Sequence, residues 1–271
     1  MKLNVTIPVF NEERRLENGI RRLAPFLAES LPGDYELVIA DNASSDRTPE
    51  IALDLATDFP RVRVVRMEAK GRGGALRKVW SECEADVCSY MDVDLSSDLS
   101  GFQELVRVVA SGESDLAVGS RLLQKGWTKR SWQREILSRG YNWLLRAVFD
   151  VRFSDAQCGF KAVSRRAAQT LLPFVENNNW FFDTEMLVLA EKAGFRIHDQ
   201  PVRWREDRDS TVKVCRTIVE DMRGIALLRL RLRERSWQSS FSSMRLEERR
   251  IGQFASGRLE HARSMTKSPI N

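Results

Sequence analysis

Along the first 120 positions, short strand-like runs rich in valine, isoleucine and leucine alternate with longer stretches of helical periodicity. The runs at 3–9, 35–40, 61–66, 86–91 and 115–118 read as strands; 12–31, 48–59, 74–84 and 100–111 read as the helices between them. Strands alternating with helices of this length predict right-handed crossovers, hence an α/β fold whose mainly parallel sheet is flanked by helices. Pro32-Gly33 and Pro60 punctuate the joins, and Pro49 follows Asp46 and Thr48, either of which can cap the second helix.

Beyond about Leu122 the alternation stops. Residues 131–149 predict one long amphipathic helix, 153–160 an irregular segment, and a further helix starts near Asp183. Short strands around 195–205 and a helix over 211–233 complete the pattern. On the 131–149 wheel, Arg134, Glu135, Ser138, Arg139, Asn142 and Arg146 share one side, opposite Trp132, Ile136, Leu137, Trp143, Leu144 and Val148. A helix packed on a core and one lying in a membrane interface give the same wheel. The pattern divides the chain into a domain at 1–234, with halves at about 1–121 and 122–234, and a flexible basic tail at 235–271.

Composition narrows the class. Apolar residues make up 42% of 271, enough for a substantial core. The net charge of +5 sits in the tail: 231–271 hold nine Lys/Arg against four Asp/Glu, and the first 230 residues balance at 34 each. That balance excludes a generally basic nucleic-acid binder, whereas a positive tail suits an anionic membrane surface. Cys83, Cys88, Cys158 and Cys215 form no metal-site spacing, which points to reduced thiols in the cytoplasm. The N-terminus enters a strand at once, without signal-peptide regions, and no apolar run nears the ~20 residues that span a bilayer.

Chemistry gathers where the strands end. The fourth strand closes on Asp92-Val93-Asp94, and carboxylates two apart share a face of a strand. Both lean over the edge where open α/β sheets hold ligands, and a hard divalent cation carrying a diphosphate would relieve their repulsion. The first strand ends in Pro8-Val9-Phe10-Asn11-Glu12, the second in Asp41-Asn42 and an Asp46 turn. After the third comes Lys70-Gly71-Arg72-Gly73-Gly74, followed by Arg77; glycines let N–H groups approach an anion at a helix start, and the basic side chains add charge. This is neither a P-loop nor a dinucleotide fingerprint.

The order Pro-Asn-Glu loop, Asp turn, basic glycine turn and Asp-x-Asp resembles the family 2 glycosyltransferases, over roughly residues 3–230. Gly119-Ser120-Arg121, Gln157-Cys158-Gly159-Phe160-Lys161 and Trp180-Phe181-Phe182-Asp183-Thr184-Glu185 resemble the dolichyl-phosphate glucosyltransferase and polyprenyl-phosphate mannose synthase branch. The resemblance implies a GT-A, Rossmann-like fold and an inverting hexosyl transfer from a nucleotide sugar, UDP-glucose ahead of GDP-mannose, to a polyprenyl or dolichyl phosphate. It places the enzyme peripherally on the cytoplasmic membrane face. It assigns Pro8, Phe10 and Glu12 to the nucleotide's border, Asp41 to the base, Lys70 and Arg72 to the diphosphate, and Asp92 to the ribose or sugar. Asp94, with Asp92, would ligate Mg²⁺ or Mn²⁺, Arg121 would reach the diphosphate or the acceptor phosphate, and Asp183 would be a base or an orienting acid. Phe10 replaces a frequent Tyr, Asn42 the second acid of a common Asp-Asp pair, and Ser96 stands where mannose synthases have Gln. Transfer to a hydroxyl of a glycolipid or polysaccharide, and silent nucleotide-sugar binding, are the alternatives.

Overall fold

The computed structural model describes residues 1–31, 33–124, 128–129, 131–205, 214–234, 239 and 241–243. Its centre is β1 (Lys2–Val9), with Leu3, Val5, Ile7 and Val9 on one face and the buried Asn4 and Thr6 on the other. The parallel neighbour β2 (Asp34–Asp41) pairs in turn with β3 (Val62–Arg66), and on the other side β1 runs parallel to β4 (Val87–Met91). α1 (Leu16–Ser30) buries Leu16, Ile20, Leu23 and Leu27 at helical spacing, and α2 (Thr48–Asp58) and α4 (Phe102–Ala110) contribute to the same core. On the opposite face, Trp80 of α3 (Arg72–Ser81) meets the Tyr90 ring of β4 at 5.9 Å and the Phe182 ring at 6.4 Å. Each fully buried large side chain stabilises the fold by about 1.5–3 kcal/mol.

The seven-stranded sheet runs β3-β2-β1-β4-β7-β5-β8. β5 (Leu116–Ser120) and β8 (Ile197–Pro201) are parallel to each other, whereas β7 (Phe160–Ser164) is antiparallel to both β4 and β5. β6 (Thr128–Lys129) pairs with β9 (Trp204–Arg205) in a two-stranded ribbon. The sequence pattern missed β7 and the α6 helix (Arg165–Leu171) behind it. Residues 161–182 carry no predicted element, since a five-residue run with a lysine at its second position gives no clear strand signal, yet Lys161 is only 1% exposed. Ion pairs and hydrogen bonds made far away in sequence put the lysine inside.

Of the two orientations the wheel of α5 (Trp132–Phe149) left open, the structure takes the one that packs its more polar side inward. Ser138, Asn142, Leu145 and Phe149 face inward; Trp132, Ile136, Leu137 and Trp143 are exposed. Asn142 makes the inward position possible, donating to the Ser138 carbonyl at 2.9 Å and accepting the Ala156 N–H at 2.9 Å. α7 (Phe182–Ala193) is buried along most of its length, and α8 (Val214–Arg231) follows β9. The chain divides into two compact units, Met1–Ala226 and Leu227–Asn271. Most of the tail expected at 235–271 lies outside the described residues. Among the described residues no helix is long and apolar enough to cross a membrane.

Candidate active site

The β1–β4 ladder ends at Thr6↔Tyr90, two residues before Pro8, and the loops beyond the strand ends take strained turns. Asn11, Ala43 and Leu95, just past β1, β2 and β4, have φ of 55°, 59° and 50°. Left-handed backbone at non-glycine residues costs on the order of 1 kcal/mol each and collects at functional sites. Side chains lace the first two loops together. Asn11 N–H donates to Ser44 Oγ at 2.9 Å, Ser45 N–H to Asn11 Oδ1 at 2.8 Å, Glu12 N–H to Thr48 Oγ1 at 2.8 Å and Glu13 N–H to Asp46 Oδ2 at 3.2 Å.

Asp41 is wholly buried at the end of β2. Its Oδ1 accepts the Ser44 N–H at 3.1 Å, but Oδ2 takes no hydrogen bond, with Arg66 Nε 3.5 Å away. A buried oxygen served only by this long contact with a largely exposed arginine still lacks a hydrogen bond, worth about 1–3 kcal/mol, that a ligand N–H would supply. Phe10 lies under Lys70, whose Nζ is 3.5 Å from the ring centroid, and Glu12 meets Arg15 at 3.4 Å. Asn42 accepts the Gly71 N–H through Oδ1, tying the glycine turn to β2.

That turn differs from the expected anion cradle. Gly74 N–H donates to the Asn178 carbonyl at 3.0 Å, so with Gly71 two of its N–H groups are spent within the protein. The glycines admit neighbours instead. A Cβ on Gly73 would fall 2.4 Å from Phe182 Cβ, and one on Gly71 2.9 Å from the Asn178 oxygen. Arg77 donates to the Val175 carbonyl, and Arg72 points into an ion-pair cluster.

Arg72 bridges two expected site acids, with Nη2 3.0 Å from Asp92 Oδ1 and Nη1 2.7 Å from Asp183 Oδ2. Asp183 Oδ1 accepts a short hydrogen bond from Tyr90 and lies 3.3 Å from Lys161 Nζ, which also donates to Tyr90 Oη at 3.0 Å. Burial alone would raise the Asp183 pKa; the positive charges of Lys161 and Arg72, with hydrogen bonds from Tyr90 and Arg72, hold it below the ordinary carboxylate range. In the sequence Lys161 figures only as the last residue of the Gln157–Lys161 motif, and Tyr90 only as part of the fourth strand; neither has a role there, because nothing in the sequence marks a strand tyrosine or a buried lysine as a neighbour of Asp183.

The Asp92 side chain is 46% exposed, and Asp94, half-buried beside it, accepts the Ser96 N–H at 2.9 Å. Among the described residues no three His, Cys, Asp or Glu side chains gather around a metal position. Two strand-end carboxylates nevertheless fit a hard six-coordinate cation whose other ligands are diphosphate oxygens and water. Arg121 was expected to reach a phosphate. Its guanidinium instead forms a two-pronged pair with the buried Asp155, at 2.7 and 2.9 Å, while its backbone N–H reaches the same carboxylate at 3.1 Å. This pair fixes the segment leading into Gly159, where a Cβ would lie 1.8 Å from Asp92 Oδ2.

The sequence profile described as Glycosyl transferase family 2 matches residues 4–172, and a Drosophila melanogaster dolichyl-phosphate β-glucosyltransferase is 31% identical over 222 residues, covering 76% of this chain and 68% of that protein. The chain belongs to glycosyl transferase family 2. The glycosyltransferase is also 41% identical over 221 residues to glycosyltransferase AglD of Haloferax volcanii; the match covers 81% of this chain but only 35% of AglD. The dolichyl-phosphate β-glucosyltransferase of Saccharomyces cerevisiae is 26% identical, with 84% and 74% covered. Mycobacterium tuberculosis glucosyl-3-phosphoglycerate synthase bound to UDP superposes with a TM-score of 0.65 at 20% identity, over 84% of this chain and 80% of that one. The same synthase with Mn²⁺, UDP-glucose and phosphoglyceric acid gives 0.64. The fold of the glycosyltransferase is GT-A, as its sequence led one to expect.

A second polar cluster lies behind Asp183. Asp221 of α8 is buried and accepts from Gln157 Nε2 at 2.9 Å, and Tyr141 Oη lies 2.8 Å from Thr184 Oγ1. Burial pushes the Asp221 pKa up to about 7; Glu220 and Asp183 add to the rise and the Gln157 hydrogen bond opposes it. Between the unfolded carboxylate value of about 4 and pH 7 the native state keeps a proton that the unfolded chain has lost, so this group's contribution to stability falls as pH rises through that window. Asp221→Asn removes the slope. The variant's thermal midpoint is expected to exceed the parent's at pH 8, by the equivalent of ~1–3 kcal/mol, with a smaller gain at pH 5. Equal gains at both pH values would contradict the protonated native carboxyl.

Proposed function

We propose that the glycosyltransferase moves a hexose from a nucleotide sugar, UDP-glucose before GDP-mannose, to a polyprenyl or dolichyl phosphate, inverting the anomeric centre to give a β-linked product. Asp183 carries the choice of acceptor. A hydroxyl acceptor needs a base within reach and of suitable pKa. Asp183 is buried, engaged by Lys161, Arg72 and Tyr90, and held in its charged form. A phosphate monoester, with its second pKa near ~6, arrives as a dianion and needs no base. The names of the yeast and fly relatives supply dolichyl phosphate and glucose.

On this reading an acceptor phosphate oxygen attacks the anomeric carbon opposite the nucleotide, and the carbon–oxygen bond to the diphosphate breaks. Asp41 Oδ2 accepts an N–H of the base, Pro8, Phe10 and Glu12 border the nucleotide, and Lys70 flanks the diphosphate. Asp92 faces the ribose or sugar. Asp94 and Asp92 would hold Mg²⁺ or Mn²⁺, which when bound neutralises charge on the departing diphosphate. Asp183 orients Arg72, and Arg121, spent on Asp155, positions the 154–159 segment. The test is a panel of radiolabelled UDP- and GDP-sugars offered with polyprenyl phosphate. Label passing from UDP-glucose into lipid is expected; transfer only to hydroxyl glycolipids would overturn the acceptor.

A lipid acceptor calls for attachment at the membrane surface. Trp132 and Trp143 are 69% and 67% exposed on the outward face of α5, and with Ile136 they fall within about 40° on the wheel. Such a face suits shallow insertion, and the basic residues after Arg231 add attraction to anionic lipid. Replacing both tryptophans by Ser is expected to weaken binding to anionic liposomes by on the order of tenfold or more without lowering the thermal midpoint. Flotation of the parent protein that does not depend on lipid would exclude this attachment.

A further inference from the structure

Trp180 stands 42% exposed two residues before α7, and it combines a free surface with a fixed position beside the site. It is held firmly. Glu176 and Asn177 both donate their N–H groups to Glu185 Oε2, at 3.2 and 2.8 Å. Asn179 N–H donates to Asn177 Oδ1 at 2.8 Å, and the Asn178 carbonyl accepts from Gly74 at 3.0 Å. An exposed ring on so constrained a backbone is oriented before any ligand arrives, which limits the entropy lost on binding.

The ring also has a defined underside. The Arg72 guanidinium carbon lies 4.9 Å from the Trp180 ring centroid and 4.9 Å from that of Tyr90. The same guanidinium holds Asp92 and Asp183, and its side chain is only 10% exposed. Trp180 is therefore linked, through one nearly buried side chain, to the carboxylate that faces the donor. A pyranose offers what this geometry can take: an apolar C–H face for an aromatic surface, and hydroxyls for neighbouring carboxylates.

We propose that Trp180 is a binding residue for the donor's hexose, its ring stacking on the sugar while Arg72 holds Asp92 against the hydroxyls. The proposal rests on the nucleotide-sugar reading above and adds to it the residue that senses the sugar rather than the nucleotide. A merely structural tryptophan, shielding the Arg72 ion pairs from water, would affect every ligand of the site alike.

The two roles separate in a titration of the full chain, with Mn²⁺ present, against UDP, UDP-glucose, GDP and GDP-mannose. For whichever pair the parent binds, Trp180→Ala is expected to weaken the sugar nucleotide roughly tenfold while leaving the nucleoside diphosphate within about twofold. Trp180→Phe, which keeps a stacking ring, is expected to recover most of the loss. Equal weakening of both ligands, or no change in either, would overturn the platform while leaving the donor reading intact, because the parent still binds. A parent that binds none of the four would remove both. Thermal midpoints of the two variants within a few degrees of the parent's confirm that the comparison is made on folded protein; if Trp180→Ala unfolds, Trp180→Phe and Trp180→Leu carry the test, the platform requiring Phe to retain sugar discrimination and Leu to lose it.

Discussion

Asp92→Asn and Asp94→Ala are each expected to lower glycosyl transfer by about a thousandfold or more, and excess chelator to do the same to the parent enzyme. β4 stops at Met91, so the two carboxylates sit in the turn just beyond it, closed by Leu95 N–H on the Asp92 carbonyl at 3.1 Å, rather than on one face of the strand as expected; that turn still lies at the sheet edge, and Asp92 is nearly half exposed there. Asparagine at 92 can still accept from Arg72 through its amide oxygen, so the ion-pair cluster keeps its shape while a negative charge is lost. Alanine at 94 gives up polar contacts of a half-buried turn residue, among them the Ser96 hydrogen bond, each worth about 1 kcal/mol. Activity should therefore fall while the circular dichroism spectrum and thermal midpoint stay close to the parent's. Near-normal turnover in either variant, or in chelator, would rule out the diphosphate-bound cation.

The parallel half of the sheet was legible because its physics is local. β1, β2, β4 and β5 are short, mainly apolar runs, β3 sets its valines between arginines, and each helix between them shows its own period. β7 was hidden because Lys161 can be buried only through Tyr90 and Asp183, which arrive from β4 and α7. The orientation of α5 was hidden for a similar reason. Its wheel has two faces, and the choice of Asn142 as the inner one rests on hydrogen bonds to Ser138 and Ala156 that periodicity cannot weigh.

For the site, residue types at strand ends were enough to place Asp41, Asp92 and Asp94 on one edge. They were not enough to assign partners. Arg72 and Arg121 both read as phosphate-binding cations, yet each is paired with carboxylates of its own chain, Asp92 and Asp183 for one and Asp155 for the other. Pairings across 20, 111 and 34 positions depend on the assembled sheet. The glycines of the basic turn were misread in the same way. Their small size serves Phe182 and Asn178, which lie more than a hundred residues on in the chain.

Gly159→Ala is expected to lower transfer about a hundredfold while barely changing stability. No left-handed φ accompanies this glycine, so alanine is allowed by the backbone and the conflict is with one side chain. A Cβ would lie 1.8 Å from Asp92 Oδ2, 2.4 Å from its Cγ and 2.8 Å from Oδ1, so the whole carboxylate must swing aside. Asp92 is exposed enough to rotate, which keeps the cost to folding small, but its new position abandons Arg72 and the cation site. A misplacement of about 1 Å in a reacting group can cost a hundredfold in rate. Gly140→Ala is the matched control: it sits exposed in α5 with nothing within 4 Å of the added carbon. That variant should keep full activity and gain about 0.5–1 kcal/mol from helix propensity. If Gly159→Ala retains parental turnover, Asp92 does its work from some other rotamer, and the close approach at Gly159 reflects only packing.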